Sequence, residues 1–252
     1  MNSKYIGAAL FCYLFAASTQ ADTGWSIGLG VVTSDIYPNS AEYTAIFPTV
    51  NTSTKRAMFI PDVTYHWDQW SLGATGLSWK TKKESDLKSS ITLGFPRSAF
   101  RIGGQKGWFR YGVFGAAQFT DGTLLSGGIN LGPVSYEQYQ GVADRQDEQS
   151  HSVGFGAPVY ISKKHALTVI GKLSYSVGNA AFKTQDLKLA TELPRNNYVD
   201  VNANLFAIKK LGDSITWINS GTFTFADEQQ LNLVDGLKPI HFNLFSLIQY
   251  SF

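Results

Sequence analysis

Four histidines, His66, His151, His165 and His241, are the side chains of this sequence best suited to metal binding or proton transfer. Their spacing argues against a metal: none stands four residues from another, and no acidic or cysteine partner completes a zinc pattern. A lipid-cleaving enzyme built into a membrane wall would need a serine and a histidine together on the lipid side. His241 and Asn243 do share one face of a strand, but strand alternation turns that face inward. No catalytic residue, metal or cofactor is therefore assigned.

Charge offers the next candidates. Arg110, Lys172 and Asp200 fall at inward positions of three different strands. Charge enclosed in a polar core is costly unless paired, so one reading is mutual salt bridging. The other is a set of charges that selects solutes in a pore. Asp144, Asp147 and Glu148 offer oxygen ligands on a loop, at a spacing that matches no calcium loop. The run from Lys80 to Lys88 reads as a solvated turn, or as a basic contact for peptidoglycan or a protein partner. Asn51-Thr52-Ser53 matches a glycosylation sequon, read here as accidental.

The elements that must position these groups repeat with period two. Trp25, Ile27, Leu29 and Val31 alternate with Ser26, Gly28 and Gly30. Phe109, Tyr111, Val113, Ala117 and Phe119 alternate with Arg110, Gly112 and Gln118. Similar alternation covers 153–161, 166–177, 198–208 and 214–225, and further strands are expected near 42–50, 57–67, 69–79, 88–95 and 122–141. The chain closes on a strand, 240–252. There Ile240, Phe242, Leu244, Ile248, Tyr250 and Phe252 point one way and His241, Asn243, Gln249 and Ser251 the other, with Phe245 and Leu247 as apolar intruders inside. Strands of about 9–13 residues with an apolar outside suit a tilted membrane crossing.

These segments predict an all-β fold, a transmembrane antiparallel β-barrel of about 12 strands. An even number keeps both termini on the periplasmic side, and that parity favours a single strand over 122–141, unbroken at Gly132-Pro133. Tight periplasmic turns are expected at 120–122, 162–165 and 211–213. The run 80–88 also falls on the periplasmic side. Longer outer loops are expected after residues 33 and 95 and at 144–150, 179–196 and 226–239, and the short link 67–69 fits the outer side poorly.

Residues 1–21 read as a signal peptide: Lys4, then an apolar stretch from Tyr5 to Ala17, then small residues at Thr19 and Ala21. Residues 22–252 form the barrel. The single cysteine, Cys12, lies within the signal, so neither a disulfide scaffold nor a lipid anchor is expected. With 21 basic and 19 acidic residues there is no basic block for nucleic acid. Past the signal no apolar run nears the ~18 residues of a membrane helix. An aromatic content of 14% and 24 glycines suit a barrel wall, with its interfacial rings and closely approaching strands.

Trp25-Ser-Ile-Gly-Leu-Gly30, Tyr37-Pro38-Asn39-Ser40 and Tyr43-Thr-Ala-Ile-Phe-Pro48-Thr-Val50 together resemble the MipA/OmpV family of outer-membrane proteins. Asn39 stands where the family's turn carries glycine, and asparagine also accepts a left-handed backbone. The end Tyr250-Ser-Phe252 looks like the signal read by the barrel assembly machinery. The resemblance implies a scaffold in the cell outer membrane, in contact with outer-membrane lipid and bridging a murein hydrolase and a murein synthase. It carries no catalytic residues. A narrow channel for small solutes is the alternative from the residues themselves, and a lipid-modifying enzyme the third reading.

Overall fold

The computed structural model describes residues 23–252 apart from 35–48, 53, 54, 74, 75, 83, 84, 96, 107, 108, 120, 121, 188, 190, 235 and 236. The segment read as a signal peptide and the turn Tyr37–Ser40 thus lie outside the described residues.

The chain forms strands β1 (Thr23–Ser34), β2 (Thr49–Thr52), β3 (Lys55–Trp67), β4 (Trp70–Gly73), β5 (Gly76–Lys80), β6 (Ser90–Leu93), β7 (Arg97–Lys106), β8 (Phe109–Gln118), β9 (Thr123–Leu131), β10 (Val134–Val142), β11 (Gln149–Ser162) and β12 (Leu167–Asn179). Helix α1 (Ala180–Leu187), β13 (Asn197–Lys210), β14 (Ile215–Ala226), helix α2 (Glu228–Leu233) and β15 (Ile240–Ser251) complete it. Each strand from β3 to β15 pairs antiparallel with the next, and β1 pairs with both β15 and β3. The sheet therefore closes into a ring, the arrangement a lipid environment demands of strands. Fourteen strands make the ring; β2 pairs only with the start of β3.

The count corrects the expected twelve in identifiable places. Residues 122–141 do not form one strand: β9 and β10 meet at Gly132-Pro133, where Leu131 pairs directly with Val134. Gly132 takes φ +61°, the positive value a two-residue hairpin requires, and Pro133 has no N–H for a central ladder. The segment 69–79 is likewise two strands, β4 and β5, folded so that Gly73 faces Gly76. Strand β7 had no counterpart in the sequence reading. Residues 42–48 lie outside the described part, and β2 is not in the ring. Nor are all strands long: β4, β5 and β6 have only four or five residues.

Ser26 pairs with Ser251, so the first and last strands start and finish at the same end, taken as periplasmic. Trp67-Trp70 closes a hairpin at that end, with Asp68 at φ +50°, which removes the misfit of this link on the outer side. The turn expected on the periplasmic side at 120–122 is flanked differently. Thr120 and Asp121 lie outside the described part, but Gln118 and Thr123, which flank them, are at the outer end.

One face of the wall is apolar and exposed. Trp25, Ile27, Leu29, Phe100, Ile102, Val113, Ile129, Phe155, Leu173, Leu205 and Ile248 all retain more than two fifths of their surface. Exposed apolar surface this continuous marks a lipid contact. Aromatic rings gather at the periplasmic rim, where Trp25 meets Tyr65 at 4.9 Å and Tyr250 meets Phe252 edge-on at 4.8 Å. Among the described residues no helix is long and apolar enough to cross a membrane; the strands cross it. The chain is an outer-membrane β-barrel.

Candidate functional site

The inner face is the candidate site, and its character changes around the ring. On β11 to β14 many inward side chains are small and neutral, tied by hydroxyls and amides, with Lys172 and Asp200 as the charged exceptions. Ser176 donates to Ser152 at 3.0 Å, Thr222 to Asn204 at 2.6 Å and Thr224 to Asn202 at 2.7 Å. Lys172 shares a level with Asn204 and Thr222 through successive strand pairings. Beside this lattice, Ile218, Phe245, Leu247 and Val32 form a buried apolar cluster on the inner side. Phe245 and Leu247 are thus the inward pair expected from alternation.

At β15, β1 and β3 the inner wall holds a polar network that sequence reading missed. Gln249 donates from Nε2 to Ser26 Oγ at 3.2 Å and to Asp62 Oδ2 at 3.0 Å. Thr64 donates to Asp62 Oδ1 at 3.0 Å, and Ser26 Oγ lies 3.0 Å from His66 Nε2. A serine on a histidine beside a carboxylate has the composition of a hydrolytic centre. Ser26, however, is completely buried and Asp62 is 2% exposed, so no substrate can reach the hydroxyl. The network instead bolts the last strand to the third across the first, at the seam where the ring closes. Gly28 lets them meet: a Cβ there would stand 3.0 Å from Leu247 Cδ1 and 3.3 Å from Asp62 Cβ. The signal was present in the inward parity of Ser26, Asp62, His66 and Gln249; the register that joins them was not.

From β5 to β8 the inner wall is basic. Arg97 and Arg101 face inward on β7, Arg110 on β8 and Lys80 on β5. Arg110 pairs with Gln105, so Arg97, Arg101 and Arg110 occupy three levels four residues apart, roughly 13 Å per step. Lys80 pairs with Ser90, which pairs with Arg101, so these two lie on one rung. The Arg101 and Arg110 charges oppose each other. Among the described residues the inward carboxylates of the strands are Asp62 in the seam network, Glu137 on β10 within electrostatic reach of Lys172 and Arg97, and Asp200 on β13.

The structure does not bring Arg110, Lys172 and Asp200 together. Arg110 stands near the periplasmic end of β8, Lys172 midway along β12 and Asp200 near the outer end of β13. Asp200 belongs to a clasp over the outer mouth. It takes an ion pair from Lys183 of α1, which also pairs with Asp186 at 3.3 Å, and Gln230 of α2 donates to Asp200 at 3.0 Å. Burial opposes the Lys183 charge, but the two carboxylates outweigh it and raise its pKa above the ordinary lysine value. Asn179 caps α1 by accepting from Phe182 N at 2.9 Å, and Asp227 caps α2 by accepting from Gln230 N at 2.8 Å. Beneath the helices Ala180, Leu187, Leu193 and Tyr198 pack as a small core.

The other candidates disperse. Glu148 accepts a fork from Arg145, Nε at 2.6 Å and Nη2 at 2.5 Å, both side chains buried, so it is committed to an ion pair in place of a cation. No cluster of metal-ligating side chains exists among the described residues. His151 bonds Tyr136 at 2.8 Å on the outer surface, His165 lies on an exposed turn, and His241 and Asn243 are buried on the inner side. Tyr250 and Phe252 stand at the periplasmic rim, where Phe252 N donates to Trp25 O at 2.9 Å.

No family model and no curated protein matches this chain. Among solved structures, OccAB3 of Acinetobacter baumannii is 9% identical with a TM-score of 0.40, over 92% of this chain and 100% of that one. OmpT of Vibrio cholerae, an outer-membrane protein, is 8% identical with a TM-score of 0.41, over 91% and 97%. The anion-selective porin of Comamonas acidovorans is 11% identical with a TM-score of 0.36, over 90% and 98%. The barrel itself is established by the ring of strand pairings described above.

Proposed function

We propose that this outer-membrane barrel is a channel for small hydrophilic solutes. The observation that carries the reading is the inner wall. From β5 to β8 and from β11 to β14 it presents half-exposed charged, amide and hydroxyl side chains toward the barrel axis. A barrel whose sole task was to present loops would gain stability by packing its interior with apolar groups, since polar groups held from water are costly. Here apolar packing is local, in the patch around Ile218 and Phe245 and in the small core beneath the two helices. The two helices at the outer mouth then set how much of the cross-section is accessible from outside. A scaffold for murein enzymes, the role implied by the family resemblance, draws its most specific residues from Tyr37–Ser40, outside the described residues, and no feature of the inner wall calls for it.

Liposome swelling tests the channel. Proteoliposomes placed in isotonic neutral sugars should swell at rates that fall with sugar size, the pattern of passive flow through a bore of fixed width. Swelling no faster than that of protein-free liposomes, for every sugar, would contradict the proposal.

A further inference from the structure

We infer that this channel passes small anions in preference to cations, and that the basic track on β5, β7 and β8 is what selects them. The inference rests on the channel reading and gives it a substrate class.

Three facts carry it. First, the charged groups on the inner wall are unequal in sign among the described residues: Lys80, Arg97, Arg101, Arg110 and Lys172 stand against Asp62 and Glu137, while Asp200 at the outer end is engaged by Lys183 of α1. Second, they are unequal in place. Asp62 is sealed into the closing seam, and Glu137 stands on β10, level with Arg101 but three strands round the ring from β7, where Lys172 and Arg97 act on it. Third, the arginines form a sequence of levels. Arg97, Arg101 and Arg110 descend the wall in steps of roughly 13 Å, so together they span most of the ~30 Å of hydrocarbon a solute must pass. Lys80 joins the middle level.

Physically, low-dielectric walls focus the field of such a track along the bore, concentrating anions and repelling cations. The effect needs net positive potential, whatever hydrogen bonds each guanidinium makes along the wall. Arginine further suits oxyanions, because its planar fork meets a carboxylate or phosphate through two parallel bonds. The neutral lattice on β11 to β14 offers donors and acceptors to the remainder of the solute.

The test is the reversal potential of the full-length folded protein in a planar bilayer under a potassium chloride gradient. The wild type should reverse on the chloride side of zero. Raising both solutions to molar salt should shrink this preference, since the screening length falls from about 10 Å at 0.1 M to about 3 Å at 1 M. Arg101→Glu with Arg110→Glu should move the reversal potential toward potassium, whereas Arg101→Lys with Arg110→Lys should keep its sign. Lys164→Glu on an exposed periplasmic turn serves as the control and should leave it unchanged. Retention of a compact band in unheated gels shows that each variant has folded. Conductance without anion preference in the wild type would overturn this inference alone and leave the channel standing. Absence of conductance would overturn both.

Discussion

Asp62 is an acidic residue almost without exposure, and its stability in the wall depends on Gln249 and Thr64 donating to it. Gln249→Leu keeps the bulk but removes the bonds to Ser26 and Asp62, leaving the carboxylate short of one of its two donors. The expected cost is about 1–3 kcal/mol, seen as a lower temperature at which the compact gel band converts to the extended form. Gln249→Glu should cost more, because it sets two carboxylates against each other. Gly28→Val should harm closure as well, since its side chain would enter the space in which Leu247 and Asp62 approach. At this scale the sequence was half legible. Alternation gave the inward side of Gln249 and His241, and of Arg110 and Lys172. It could not show that Ser26, Asp62 and Gln249 meet, because they are joined by ring closure across most of the chain's length.

Among the elements, the outer mouth depends on α1 being held to β13. Lys183→Met would leave Asp186 and Asp200 enclosed without their cation, a change of the kind that costs about 3–5 kcal/mol when a buried pair is broken. The expected result is release of α1 with the barrel intact: faster protease cleavage within 180–196 and an unchanged gel band. The same contact has a defined pH dependence. A lysine whose pKa is raised on folding contributes fully below its unfolded value of about 10.4. That contribution is lost as pH rises through the higher folded value. Protection of 180–196 should therefore hold across neutral pH and fall only in strongly alkaline solution. A second element prediction concerns the β9–β10 hairpin. Gly132→Val forces a β-branched residue to φ +61° and should destabilise the barrel by about 1–2 kcal/mol, measured by the same band conversion. Element type was legible wherever one face meets lipid, because lipid writes a strict alternation into the sequence. It was not legible in β4 to β6, too short to show a period, nor in β7, whose inward arginines and paired glycines interrupt the apolar series. At Gly132-Pro133 the backbone chemistry overrides strand parity: a glycine at positive φ followed by a residue without an N–H turns the chain.

For the whole molecule, closure is the central property. The β1–β15 pairing joins the first and last strands, and Phe252 N reaches Trp25 O. Backbone groups along the paired strands are thereby satisfied within the sheet, which is what permits an apolar exterior and a polar interior in one chain. Removing Tyr250–Phe252 should weaken the seam and the rim at once and lower the yield of the compact form in detergent refolding. The fold class could be read from sequence because the outer wall is a repeated pattern. The lumen could not, because its character arises from side chains on strands far apart in the chain, set level with one another only by register.

The most direct test of the account is single-channel recording of the refolded protein in a planar bilayer with symmetric salt. The structure predicts discrete, reproducible current steps whose size scales with salt concentration, as expected of a water-filled bore through a closed wall. A flat trace from protein that has inserted, shown by protease protection of the strands in the same membranes, would contradict the channel and leave the barrel as a wall without a passage.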